Sequence, residues 1–414
     1  MDRTHTLTVA VFLFTYAGMA FGRVPKLKLD RTGIALMAVA TLLAFGATDL
    51  AAIGHAVDAP TLLLLFALML LSAQFAGAGF YDACAAGITG ARASPTALLG
   101  LTVLVSGALS AVLANDIVVY AMTPLLCAGL RTRGLDPRPF LVGLAGGSNA
   151  GSAATIIGNP QNILIGQVGG LDFWTFAAVC GVPALVALVV VFAVVRIVWR
   201  DSFVPGAAVE SDPVPPPAWN RWQTTKGALA AIALVALFFT PIPREIGALA
   251  IAALLLASRT MASRAMIGAV DWHLLLLFAC LFTVTAAFAG TGLAASGLAW
   301  LKAHALMPDN IAVLAPLALV LSNGIGNVPA VILLMAVWSD ATPGALYGLA
   351  LLSTLAGNFF IVGSLANLIV AERAAVAGVR LSFRDFARAG VPMTLLSMAF
   401  AALWLSLGGW MPWR

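Results

Sequence analysis

Long apolar runs alternate with short polar breaks along the whole chain. The runs fall near residues 6–22, 33–53, 60–80, 96–130, 139–169, 173–199, 227–243, 245–259, 271–293, 309–337, 343–371 and 389–409. About 20 apolar residues cross a bilayer core as one helix, and most of the runs meet that length. Two runs carry a polar, helix-breaking centre, LANDI at 113–117 and SNGIGNVP at 322–329. Both are read as re-entrant hairpins. The expected fold is an all-α polytopic membrane protein with ten spanning helices and two hairpins. The first run, Thr6 to Phe21, is followed rather than preceded by its basic cluster, so it reads as a retained helix.

The pattern occurs twice. Residues 57–80 read VDAPTLLLLFALMLLSAQFAGAGF and residues 270–293 read VDWHLLLLFACLFTVTAAFAGTGL. Further stations match in the same order. Asn115 aligns with Asn327, and GNPQNILI at 158–165 aligns with GSLANLIV at 363–370. Phe173, Phe176 and Gly181-Val182-Pro183 align with Phe383, Phe386 and Gly390-Val391-Pro392. The expected organisation is a first repeat over 1–200, a Pro-rich linker over 201–225 and a second repeat over 226–414. Each repeat has five spanning helices and a hairpin. A duplicated membrane bundle is the usual build of a secondary transporter, with its site where the halves meet.

Composition agrees with a lipid solvent. Of the 414 residues 61% are hydrophobic and 9% charged, with mean hydropathy +1.01, whereas soluble domains carry about 25% charged residues. The net charge of +5 does not point to nucleic acid, because the basic residues lie in short loops that set orientation. With an outside N-terminus and two re-entrant hairpins, only Arg3, Arg244, Lys302 and Arg414 of the 22 basic residues fall outside. That topology makes the repeats inverted, puts both termini outside and leaves the linker cytoplasmic. Cys84, Cys127, Cys180 and Cys280 are isolated in apolar context and read as packing residues.

Polar residues inside the apolar runs are the candidates for chemistry. Asp116 is the acidic residue in the middle of a membrane segment. A carboxylate there is costly, so it is protonated, paired or turned toward water. It reads as a proton or cation coupling site, or as a helix cap at the hairpin tip. Asn115 and Asn327 sit at the two tips, where backbone without a lipid-compatible partner must be buried or line water. Each reads as an ion ligand or as a plug of its own loop. In 146–166, Gly158 and Pro160 predict a helix broken at mid-membrane. A half-helix beginning at Pro160 or Gln161 would aim its positive end at a substrate, with Asn159 and Asn162 beside it. The second copy offers Asn358, Gly363, Ser364 and Asn367 in the same frame. Ser148, Ser152 and Ser353 read as close-packing residues. Asp58 and Asp271 lie at helix starts, where a carboxylate suits the dipole.

Together the tip motif Ala114-Asn115-Asp116, the GNPQN break, the second tip and the GSLAN break resemble the ion transporter superfamily. That group includes arsenite permeases, sodium/proton antiporters, citrate transporters and sodium-coupled dicarboxylate symporters. The resemblance runs from about residue 57 to 410. It implies two inverted repeats, a homodimer and an elevator-like transport domain. Carried over, the ion and substrate positions are Asn115, Asp116, Gly158, Asn159, Asn162, Asn327, Gly363, Ser364 and Asn367. The dicarboxylate branch has Ser-Asn-Thr at both tips, whereas the Asn-Asp tip here is closer to the arsenite permease branch.

The expected function is secondary active transport of a small inorganic anion or metalloid hydroxide, arsenite- or antimonite-like, coupled to protons through Asp116. The alternative is a sodium/proton antiporter or an organic-anion carrier, with a channel more remote. No HExxH or GxSxG string occurs, so an intramembrane enzyme is not expected. No cofactor is expected beyond a coupling proton or sodium ion. The expected partners are the solute, the lipid of the plasma (inner) membrane and a second copy of the chain. An ATPase partner on the cytoplasmic face stays open, because the chain has no nucleotide-binding loop of its own.

Overall fold

The computed structural model describes residues 3–21, 29–203, 218–338 and 340–413. These residues form helices and connections, with no strand among them. The first half contributes α1 (Arg3–Phe21), α2 (Arg31–Ala44), α3 (Leu50–Ala56), α4 (Ala59–Gly77), α5 (Phe80–Gly90), α6 (Pro95–Ser110), α7 (Asn115–Arg131), α8 (Pro137–Ser152), α9 (Pro160–Val168) and α10 (Phe173–Val198). The second contributes α11 (Arg221–Leu237), α12 (Arg244–Leu256), α13 (Ser263–Gly268), α14 (Trp272–Ala289), α15 (Leu293–Ala303), α16 (Ile311–Ile325), α17 (Asn327–Val337), α18 (Pro343–Ala356), α19 (Leu365–Val376) and α20 (Phe383–Leu407). The two sets of described helices follow one another in the same order.

Local sequence explains the helix starts. Ser94-Pro95, Asp136-Pro137, Asn159-Pro160 and Thr342-Pro343 each put a capping side chain before a proline. The cap takes one orphan N–H, and the proline sits where no donor is missed. Asp58 accepts from the Thr61 N–H at 2.8 Å and Asp271 from the Leu274 N–H at 2.9 Å, so the repeated aspartates do cap α4 and α14. After each of these helices the chain turns at a repeated glycine. Gly79 has φ 70° and Gly292 φ 75°, left-handed conformations that other residues adopt at a cost.

The packing also repeats under exchange of the halves. α4 lies on α12 while α14 lies on α2; α7 lies on α19 while α17 lies on α9; α10 and α20 pack on each other. α8 and α18 sit at the centre, because nearly all their residues are buried. A helix apolar or small all round belongs inside a bundle rather than on its surface.

Among the described residues, α1, α4, α10, α14 and α20 are long and apolar enough to cross a membrane alone. The remaining apolar runs are assembled from pieces. Both expected hairpins are present as helix pairs, α6–α7 and α16–α17, and both expected breaks occur, between α8 and α9 and between α18 and α19. The run 33–53 differs from expectation. It is divided into α2 and α3, because Gly46 turns left-handed at φ 67° and Asp49 caps a new helix through the Ala52 N–H. The last helix begins at Phe383, ahead of its apolar run, because Ser382 and Asp385 form a capping box.

Arg23, Lys26, Lys28 and Arg414, used in the charge count, lie outside the described residues, as does linker segment 204–217. The linker's end is described. The Asn220 N–H donates to the Ala78 carbonyl at 2.9 Å, and α11 starts at the next residue.

Candidate functional site

Two hairpin tips and two helix breaks meet at the centre of the molecule. Each tip is tied to the break of its own half. Ser110 and Ser148 share a hydroxyl bond of 2.8 Å, and the Thr155 hydroxyl donates to the Ala111 carbonyl. In the second half the Ser322 hydroxyl donates to the Ser353 carbonyl, and the Asn323 side-chain oxygen accepts from the Phe360 N–H. The serines read as packing residues are therefore also part of the frame.

The breaks are held by asparagines. Asn162 donates its side-chain NH2 to the carbonyls of Ser152 and Thr155, at 3.2 and 3.0 Å. Asn367 does the same to Gly357 and Phe360, at 2.8 and 3.2 Å. Each then accepts from the opposite half: Asn162 from the Thr354 hydroxyl, Asn367 from the Asn149 NH2. Asn149 also donates to Asn358 and accepts from Ser364. Asn159 caps α9 and donates to Ser152 and Thr354. Freed backbone inside a membrane must be satisfied within the protein, and these side chains do that. Gly158 packs so tightly against the Ser152 backbone that a Cβ would overlap it. Gly363 lies against Asn323 in the same way.

The tips are different. Asn115 is 5% exposed and Asn327 7% exposed, and the side-chain oxygen of each has no partner. Buried polar atoms are nearly always bonded, so two orphans at equivalent positions call for a reason. Asp116 lies in the first turn of α7, and Ala114, not an acid, occupies the cap position. The Ala114 N–H is held by the Ser72 hydroxyl at 3.0 Å. Among the described residues, no hydrogen bond or ion pair engages the Asp116 carboxylate. Its reading as a cap is thus set aside.

A cavity of about 460 Å³ opens on the first tip. Asn115, Asp116 and Tyr120 form one wall, Asn159, Pro160 and Ile163 a second, and Leu65, Leu68 and Met69 of α4 a third. The second half supplies Gly268, Ala269, Asp271 and Ile369. Of the residues expected at the site, Asn115, Asp116 and Asn159 line this space. Asn162, Ser364 and Asn367 lie behind it in the frame, with Gly158 and Gly363 at the breaks. Asn327 stands at the other tip, whose Gly326 is approached by the Arg31 guanidinium.

Asp271 was legible in the sequence only as a cap. It also lines the cavity, close enough for its charge to repel that of Asp116. Tyr120 was not singled out at all. Its spacing from Asp116, four residues along a helix, is the one sequence signal that could have found it.

A polar-ended cavity between the first tip helix and the half-helices that follow the two breaks, all in an apolar bundle, is the arrangement of a membrane carrier. The chain belongs to the citrate transporter family CitMHS, which matches residues 16–351. It is a multi-pass membrane protein and a secondary transporter, not an enzyme. A 46 kDa membrane protein of Mycobacterium leprae is 28% identical over 97% of this chain and 98% of its own. A Dictyostelium discoideum protein that carries the name transporter arsB is 28% identical over 39% of this chain and 29% of its own. In fold, the chain is similar to the Alcanivorax borkumensis YdaH transporter. The TM-score is 0.57 at 15% identity, over 99% of this chain and 100% of that one.

Proposed function

We propose that the protein moves a small solute through this cavity in exchange for, or together with, a proton carried by Asp116. The observation that carries the reading is the carboxylate itself. It stands unpaired at a hairpin tip, on the wall of a cavity between the two halves. An acid in that place can load and unload a proton as the cavity alternates between two aqueous sides.

The solute class we favour is a small inorganic anion or metalloid hydroxide, arsenite- or antimonite-like. Support comes from the Asn115-Asp116 tip and from the similarity to a protein named arsB. Two carboxylates in the cavity lining also favour a solute that arrives neutral or singly charged. A second reading has its own observation. The orphan oxygens of Asn115 and Asn327 suit a bound sodium ion, and the family's description is that of a citrate transporter. That reading is a sodium-coupled carrier of an organic anion.

The halves act as inverted repeats over 1–200 and 226–414, joined by a cytoplasmic linker over 201–225, with both termini outside the inner membrane. The protein works as a homodimer, with the tips and breaks moving as one elevator-like body. Should an ATPase drive it, that partner docks on the linker face.

The test is flux in proteoliposomes for wild type and Asp116→Asn, under imposed proton or sodium gradients, with arsenite, phosphate and citrate. Proton-driven flux that disappears in the variant is expected. Proton-driven flux unchanged in Asp116→Asn would sink the coupling role. Flux driven by sodium alone would favour the second reading.

A further inference from the structure

We infer that Arg373, stacked on Tyr120, recognises a fully charged anion at the rim of the cavity. This deepens the proposed function and rests on the cavity being the solute's path. Tyr120 lies one turn beyond Asp116 on α7, lines the cavity and is 52% exposed. The Arg373 guanidinium sits over the Tyr120 ring, 4.2 Å from its centre. One turn before it on α19, Ile369 lines the same cavity. The two helices pack together, so the cation stands beside the Tyr120 wall of the cavity.

What Arg373 lacks is an anion. Its Nε is buried with no acceptor, and no carboxylate among the described residues forms an ion pair with it. Arg131, in the last turn of α7, is by contrast spent on the carbonyls of Ala377 and Gly378. An arginine held by a ring face keeps its N–H edge free. That edge matches the two oxygens of a carboxylate or an oxyanion. A neutral hydroxide offers no charge to such a site. Arg373 therefore selects, among the solutes of the proposed function, those that carry a formal negative charge. The charged end stays by Arg373 at the rim, away from the acids at Asp116 and Asp271.

Binding can be read without transport, as ligand-dependent thermal stabilisation of the purified full chain in detergent. The probes are citrate, phosphate and arsenite, the last being neutral at neutral pH. Wild type should be stabilised more strongly by citrate or phosphate than by arsenite, which gains nothing from the guanidinium. Arg373→Gln should weaken that binding by about tenfold or more, the loss of a charge-assisted pair. Arg373→Lys, which keeps the charge but not the planar fork, should bind with intermediate affinity. Equal affinity in wild type and Arg373→Gln overturns the inference, as does a wild type stabilised by neither anion. If the Gln variant does not fold, Arg373→Lys decides, and affinity equal to wild type overturns the inference. The outcomes are separable from the coupling test. Asp116→Asn that still carries proton-driven flux removes the proton reading and leaves the Arg373 binding data standing.

Discussion

Asn162 and Asn367 occupy the same place in the two halves and make the same bonds. Each ties down two carbonyls of its own break and accepts one bond from the opposite half. Both are fully buried. The reciprocal pattern turns two interrupted helices, each unstable alone in lipid, into one frame.

Replacing either asparagine by alanine removes its side-chain bonds to two carbonyls of its own break and the bond from the other half. Each such bond contributes about 0.5–1.5 kcal/mol net. Asn162→Ala and Asn367→Ala should therefore lower the thermal unfolding temperature by several degrees in detergent, with loss of flux. Because Asn149 bonds Asn367 directly, Asn149→Ala and Asn367→Ala should be strongly non-additive in a double-mutant cycle. Additive losses would mean that the bond carries little.

Asp116 behaves in the opposite way. Its carboxylate has no partner to lose among the described residues, so Asp116→Asn should fold as well as wild type, with an unfolding temperature equal or higher. Proton-driven flux should nevertheless be abolished. A large drop in stability would return the residue to a structural role.

Glycine substitutions should separate by location. At Gly158 a Cβ would run into the Ser152 backbone, which cannot yield as a flexible side chain can. Gly158→Ala should disrupt the break and abolish both flux and a sharp thermal transition. At Gly181, inside α10, a Cβ meets nothing within 4 Å. There the change to alanine should be neutral or raise stability by up to about 1 kcal/mol.

Asp172, at the start of α10, gives a pH-dependent prediction. The N–H and hydroxyl of Thr175 bond its charged form and hold its pKa below the ordinary carboxylate value. The stabilisation is then present at neutral pH and is lost as the pH falls through the folded value. Asp172→Ala should cost about 1 kcal/mol or less at neutral pH, as an exposed cap does. The difference from wild type should vanish in acid below that pKa. A gap that persists in acid would show that the charge is not its source.

The amino-acid sequence by itself determined where the helices would be interrupted. A polar pair at Asn115 and Asp116, or a glycine and proline at 158 and 160, has no place in an unbroken apolar helix, so the interruption is visible without a structure. It also determined the pairing of the halves, because Gly79 and Gly292, or Phe173 and Phe383, meet the same local demand twice. The split of 33–53 into two helices rested on Gly46, a signal that an apolar run conceals. Tertiary structure alone decided which polar residues are spent. Asn162 and Asn367 look as available as Asn115 and Asn327 in a list of letters. Only the approach of Thr354 and Asn149 from the other half satisfies the side-chain oxygens of the first two, while the tips keep orphan oxygens. The same holds for Asp271 and Arg373. A charge gains its role from what faces it across the fold, and those neighbours lie more than a hundred residues away along the chain.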